Sequence, residues 1–404
     1  MVSYLALALT LLAAVSAVPS KGKYHGDKVF RVNIDTPEQK ELFHSILKDK
    51  SLKMDVWTDH THGNVVDVHV PQKSVKQFKS KLSEFSHSTI VENVQDLVDS
   101  EKTHSLVSKS SSIYSDYQDA ATLVKYLQGL PGATPIRLGS TYGGNTIDGI
   151  KFGSGPKTIV FNGGIHAREW ISPAVTTYVA DYLLSSDPTA VSLRSKFTFH
   201  VIPVANPDGY AYTRDPNGDR MWRKNMEPNP SNPDCAGTDI NRNFSFKWSD
   251  PGASSDECDE TYYGSGPLST KEAKALDTYV KSLKNVVSYM DLHSYSQLWL
   301  YPWGYTQSPS PDHTDHAAAA AAGVKALNAV NKVKFTAEQS DSLYQTSGTT
   351  DDHFYATAGV KYSMTIELRD TGNNGFILPA SQIVPSGKET VAGLVAFWGY
   401  VDAH

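Results

Sequence analysis

From residue 113 onward the sequence alternates between strand-like and helix-like runs, and that alternation limits the possible folds more than any other feature. The runs "TIVFNGG" (158–164), "FTFHVIPVAN" (197–206), "VVSYMDLHS" (286–294) and "KYSMTIEL" (361–368) are largely apolar, as strands buried on both faces must be. Between and around them, "DAATLVKYLQGL", "SPAVTTYVADYLLS", "KEAKALDTYVKSL" and the closing "GKETVAGLVAFWGYV" read as helices, and the alanine run at 317–322 as a buried helix. The alternation predicts an α/β fold, a mixed and mostly parallel sheet with helices on both faces. In such sheets ligands gather beyond the carboxyl ends of the strands.

The chain ahead of this block has a different rhythm. "LALALTLLAAVSA" is an apolar stretch ending in Val15, Ser16 and Ala17, which fits a signal peptide over 1–17 and predicts a secreted, extracellular protein. It is too short to span a bilayer comfortably, and no later segment is apolar enough, so no membrane is expected as a partner. The following runs order themselves β-α-β-β-α-β: "VFRVNI", a helix opened by Asp35 or Thr36 with Leu42, Phe43, Ile46 and Leu47 on one face, "MDVWTD", "NVVDVHV", the helix "PQKSVKQFKSKLSEF", and "STIVENV". This predicts a small α+β domain over 18–99, then an exposed Ser- and Lys-rich linker over 100–112. Composition alone leaves two readings, a zymogen with a cleavable leading domain or a permanent second domain on a loose tether. A length of 404 residues accommodates two or three domains, and a formal charge of −6 with no Lys/Arg-rich block excludes a nucleic-acid footprint.

Polar groups collect at the ends of the predicted strands. "GGIHAREW" (163–170) puts His166 and Glu169 three apart after one strand, so a single turn points both the same way; His293 ends another strand and Glu367 nearly ends a third. Two imidazoles and a carboxylate form a set that holds catalytic zinc with a position left for water. The His166–Glu169 spacing alone fits a solvated helix face equally well.

With "MWRKN" (221–225), "GTDINRNF" (237–244), "LHSYSQLWLYPWG" (292–304), "LYQTSGTTDD" (343–352) and "TIELRDTG" (365–372), the sequence resembles the zinc metallocarboxypeptidases of the pancreatic carboxypeptidase A and B family along essentially its whole length. The resemblance implies a catalytic domain over 113–404, an inhibitory prodomain before it, and hence the zymogen reading. It implies that His166, Glu169 and His293 hold one Zn2+, that Asp239 accepts the second ring N–H of His166, that Glu367 is the general base, and that Arg223 stabilises the oxyanion. Asn241 and Arg242 would grip the substrate's free carboxylate, Tyr344 would close over it, and Arg168 and Tyr295 would contact substrate further along the cleft. Taken without the motif, Asp239 reads as a turn cap and Glu367 as an ion-pair partner of Arg369.

Asp351 falls at the family's pocket-base position, implying a basic (Lys/Arg) preference. Gly304 adds no second charge and Thr349 and Thr350 depart from the Gly-rich mammalian form, which leaves a dual basic and hydrophobic preference or an A-type preference open. Cys235 and Cys258 are expected to pair, a bridge worth on the order of 3 kcal/mol in a secreted chain. The "NFS" sequon at Asn243 abuts the carboxylate grip and is expected to stay unmodified. The expected partners are peptide or protein C-termini and a protease acting in the linker, at Lys102 or Lys109 if it is trypsin-like, with the enzyme a monomer. The rival classes are a zinc hydrolase of small acyl-amino acids and a non-enzymatic binding protein.

Overall fold

The computed structural model describes residues 22–58, 64–107, 112–229, 231–341 and 345–404, with 102–107 described by backbone only. The expected signal segment, Lys109 and Tyr344 lie outside the described residues.

The leading domain follows the predicted order. Strands β1 (Lys28–Asn33), β2 (Asp55–Val56), β3 (Val65–Val70) and β4 (His87–Val91) form an antiparallel sheet in the order β2-β3-β1-β4. The helix Pro37–Leu47 starts on Thr36, whose hydroxyl accepts the Gln39 N–H at 3.2 Å, with proline in its first turn. Its buried stripe is centred on Phe43 and Ile46; Leu42, one step around the helix, is 38% exposed and lies off the expected face. A further helix, Val94–Val107, crosses into the expected linker. Its Val94 and Val98 are buried with Tyr24, Trp57, Met221 and Phe376, and in the stretch read as linker Glu101 accepts from Arg220 of the other domain, so packing and a cross-domain ion pair extend the helix into it.

The large sheet holds β5 (Thr134–Ser140), β6 (Thr146–Gly153), β7 (Lys157–Gly163), β8 (Phe197–Ile202), β9 (Val286–Ser294), β10 (Leu298–Tyr301), β11 (Thr336–Gln339) and β12 (Tyr362–Leu368), in the order β11-β10-β12-β9-β7-β8-β6-β5. Its centre, β12-β9-β7-β8, is parallel throughout, whereas β10 joins β12, and β6 joins β8, antiparallel. The four central strands are the four apolar runs read from the sequence. One face is covered by Ile171–Leu184, His313–Asn331 and Ile383–Ala403, whose Val175, Leu327 and Trp398 share a core with Phe161 and Met364. The other is covered by Lys271–Ser282 and Thr350–Ala358, through Leu276 and Phe354 against Val160 and Tyr289. Both faces are thus closed, and the carboxyl ends of β7, β9 and β12 are where polar groups emerge.

Candidate active site

The chain leaves β7 at Gly163 and makes one turn before the helix at Ile171; the Glu169 N–H donates to the His166 carbonyl at 3.3 Å, so both side chains project the same way. His293 arrives from the end of β9, and Glu367 is its register partner on β12. Nδ1 of His166 lies 2.8 Å from Glu169 Oε1, Nδ1 of His293 lies 3.1 Å from Glu169 Oε2, and the two Nδ1 atoms are 3.0 Å apart. All three side chains are buried, and their ligand atoms fall within 4.8 Å of one another. Two ring nitrogens and a carboxylate here turn their lone pairs towards one point. Two imidazoles and one carboxylate match the donor set of a catalytic zinc ion, so the residues present fit the metal. Burial alone would raise the Glu169 carboxyl, but His166 and His293 together hold it at about 2.

Asp239 both meets His166 and caps a turn. Its Oδ1 lies 3.1 Å from His166 Nε2 and also accepts the Asn241 N–H at 2.9 Å, capping the short helical turn Ile240–Arg242. Its Oδ2 accepts Nε and Nη2 of Arg223 at 3.0 and 2.9 Å. Burial opposes ionisation of Asp239, yet Arg223 and His166 hold its carboxyl well below the usual carboxylate range. One carboxylate therefore contacts both a buried histidine and a buried arginine.

Asn241 and Arg242 sit on that turn. The Asn241 Oδ1 accepts the Thr350 N–H at 2.9 Å, and Arg242 donates from Nε to the Gly252 carbonyl at 3.1 Å. Glu367 is nearly buried and lines a narrow cavity with Glu169, Arg223, Tyr295 and Phe376. Arg369 is not its partner; that guanidinium donates to Glu389 and Gln382. Asp351 accepts the Ser340 hydroxyl at 2.7 Å, and a Cβ added to Gly304 would sit 2.4 Å from Thr346 Oγ1, so Gly304, Ser340, Thr346 and Asp351 lie close together. The Cys235–Cys258 disulfide is present. Asn243 is fully buried, with its amide donating to the Tyr263 and Gly266 carbonyls, which leaves no room for a glycan.

The leading domain reaches this cleft through residues that sequence reasoning did not single out. Asp55 pairs with Arg168 at 2.5 Å, Asp67 accepts the Tyr295 hydroxyl at 3.0 Å, and Trp57 lines the cavity against Phe376, with ring centroids 5.3 Å apart. Gly375, at φ +56°, permits this approach, since a Cβ there would meet the Trp57 ring at 2.8 Å. Asp55 and Trp57 lie in the run "MDVWTD", which by itself announces only a strand.

A buried two-histidine, one-carboxylate centre beyond the carboxyl ends of a parallel sheet is that of a metal-dependent hydrolase. The chain belongs to the zinc carboxypeptidase family, whose description matches residues 123–393, and residues 30–101 match the carboxypeptidase activation peptide. It is 37% identical to metallocarboxypeptidase A of Trichophyton tonsurans over 96% of this chain and 97% of that protein, and 34% identical to carboxypeptidase A1 of Mus musculus over 98% and 99%. The crystal structure of thrombin activatable fibrinolysis inhibitor superposes with a TM-score of 0.84 at 30% identity, covering 94% of this chain and 100% of that one. That of carboxypeptidase A from Helicoverpa armigera gives 0.83 at 25% identity, covering 94% and 98%. The protein is a zinc-dependent exopeptidase made with an activation peptide, and its substrates are peptides. Among the described residues no helix is long and apolar enough to cross a membrane.

Proposed function

We propose that the chain is secreted as an inactive precursor, with a signal peptide over 1–17, an inhibitory prodomain over 18–99, a cleavable linker over 100–112 and the catalytic domain over 113–404, and that the freed enzyme removes C-terminal residues with a basic or dual basic and hydrophobic preference. His166, Glu169 and His293 are the metal ligands. Bound zinc supplies a Lewis acid that polarises the scissile carbonyl and acidifies water. Asn241 and Arg242 grip the terminal carboxylate, with Tyr344 closing over it, and Arg168 and Tyr295 contact the peptide upstream. Arg223 donates to the oxyanion as it forms. Glu367 takes the proton of the attacking water and passes it to the leaving amine as the peptide bond breaks.

The observation that carries the specificity reading is the buried Asp351 with the small residues Ser340, Gly304 and Thr346 close by. Burial and the neighbouring Asp351 push the Asp352 carboxyl well above its ordinary value, and both of its oxygens already accept the Gly304 N–H. Asp351 is thus the carboxylate offered to a cationic side chain. Among the described residues the buried hydroxyls of Thr346 and Thr349 have no hydrogen-bond partner, which adds two acceptors for an ammonium or guanidinium. Gly304, Ser340 and Thr346 add no charge of their own beside Asp351, which leaves an apolar side chain admissible as well.

The test uses linker-cleaved enzyme on peptides differing only in a C-terminal Lys, Arg, Phe or Leu, with and without chelator. Release of Lys and Arg, alone or ahead of Phe and Leu, is the expected result, and chelator abolishes it. Release of Phe and Leu alone would move the protein to the A-type preference.

The contacts across the cleft support inhibition by occlusion. Asp55 occupies Arg168 and Asp67 occupies Tyr295, two groups assigned here to substrate. Arg168 is fully buried, so removing Asp55 leaves its charge without that partner, a change that typically costs several kcal/mol. Asp55→Ala in the uncleaved chain is expected to raise residual activity at least about tenfold, read as hydrolysis before any protease is added. An uncleaved variant as silent as the wild type would remove Asp55 from the inhibitory contact.

A further inference from the structure

We infer that Asp291 is a positioning residue for the metal centre, the counterpart for His293 of what Asp239 is for His166, and that it ties the metal ligand to the substrate grip through Thr350. This inference rests on the reading of His166, Glu169 and His293 as metal ligands.

Residues 289, 291 and 293 lie on one face of β9, because side chains alternate along a strand. Asp291 is completely buried. Its Oδ1 accepts the Asn162 amide at 2.8 Å, from the register partner on β7, and its Oδ2 accepts the Thr350 hydroxyl at 2.7 Å. The same Oδ2 stands 2.9 Å from His293 Nε2, although the ring N–H is not yet aimed along that line. Asn162 is held in turn by the Tyr289 hydroxyl.

If Nδ1 of His293 binds a cation, the ring proton must reside on Nε2, and a buried N–H without an acceptor is costly. Asp291 is the carboxylate within reach of it. Each imidazole then has a buried aspartate at its second ring nitrogen, Asp239 for His166 and Asp291 for His293.

Thr350 extends the connection. Its hydroxyl anchors Asp291 while its backbone N–H donates to the Asn241 Oδ1, and Asp351 follows it in the chain. One residue at the start of the helix Thr350–Ala358 therefore joins the metal histidine, the carboxylate grip and the side-chain recess.

The test measures zinc affinity of the full chain by chelator competition, together with the visible spectrum of the cobalt-substituted protein. Asp291→Asn is expected to weaken zinc about 10- to 100-fold and to shift the cobalt bands. In the metal-free protein the same variant is expected to keep the thermal midpoint, because asparagine preserves the volume and can still bond the Asn162 amide and the Thr350 hydroxyl. A merely structural role would lower it. Thr350→Val is expected to weaken zinc by a smaller factor. Zinc affinity in Asp291→Asn within about twofold of wild type, or a metal-free midpoint that falls, overturns the inference. If that variant does not fold, unchanged affinity in Thr350→Val does so. His166→Ala separates the two levels: failure of wild type to bind one zinc that this variant loses would refute the metal-site reading itself.

Discussion

Glu367→Gln, in the linker-cleaved enzyme, is expected to lower kcat by about 10²- to 10⁴-fold, the range that a positioned general base contributes, while zinc content stays at the wild-type level. The strand pairing explains why the two readouts separate. Glu367 is opposite His293 in the register of β12 on β9 and lines the cavity beside Glu169 and Arg223, yet it is not among the three groups whose ligand atoms converge. Glutamine preserves volume and hydrogen-bonding reach but cannot accept and return a proton. The alternative partner, Arg369, is engaged by Glu389 and Gln382, so the substitution breaks no ion pair between these two neighbours. Metal analysis and kcat on one preparation decide the matter: activity within about tenfold of wild type would assign the proton shuttle elsewhere, and loss of zinc would make Glu367 part of the metal centre.

The legibility of the sequence tracks how local each determinant is. The four parallel central strands are near-continuous apolar runs because both of their faces are covered, and all four were readable. The flanking strands were not: β11 reads "TAEQ" and β5 carries Pro135 and Gly139, polar or irregular residues tolerated at a sheet margin where packing demands less. The candidate pair His166 and Glu169 was visible because one turn brings both to the same side. His293 and Glu367 were visible as polar ends to apolar strands, but their juxtaposition needed the β9–β12 pairing. Asp291 stands in the same run as His293 and reads there only as a polar residue inside a strand; its meaning depends on Thr350 and Asn162, which the fold delivers from distant parts of the chain. The prodomain contacts were the least legible. Asp55 and Trp57 act on residues more than a hundred positions away, and Glu101, in a stretch that reads as linker, is held by Arg220 at 2.8 and 3.0 Å.

Arg223→Met is expected to reduce kcat/KM by about 10²- to 10³-fold, the usual loss when one oxyanion donor is removed, with a smaller loss of zinc affinity. Both effects follow from the role proposed for Arg223, because it is held in a fixed place. Its guanidinium is fully buried and doubly hydrogen-bonded to Asp239 Oδ2, while Asp239 Oδ1 meets His166 Nε2. Methionine fills the volume but removes both the donor and the positive charge that lets Asp239 stay ionised in a buried site. The carboxylate retains its contacts with His166 and the Asn241 N–H, so the ligand tautomer is weakened and not lost. Arg223→Lys keeps the charge without the planar fork that Asp239 grips, and should fall between wild type and methionine in rate with zinc affinity nearer wild type. Measuring kcat/KM and zinc affinity across the three proteins separates the roles: rate falling faster than metal affinity places the transition-state donor at Arg223, whereas parallel losses would reduce this arginine to a support for Asp239.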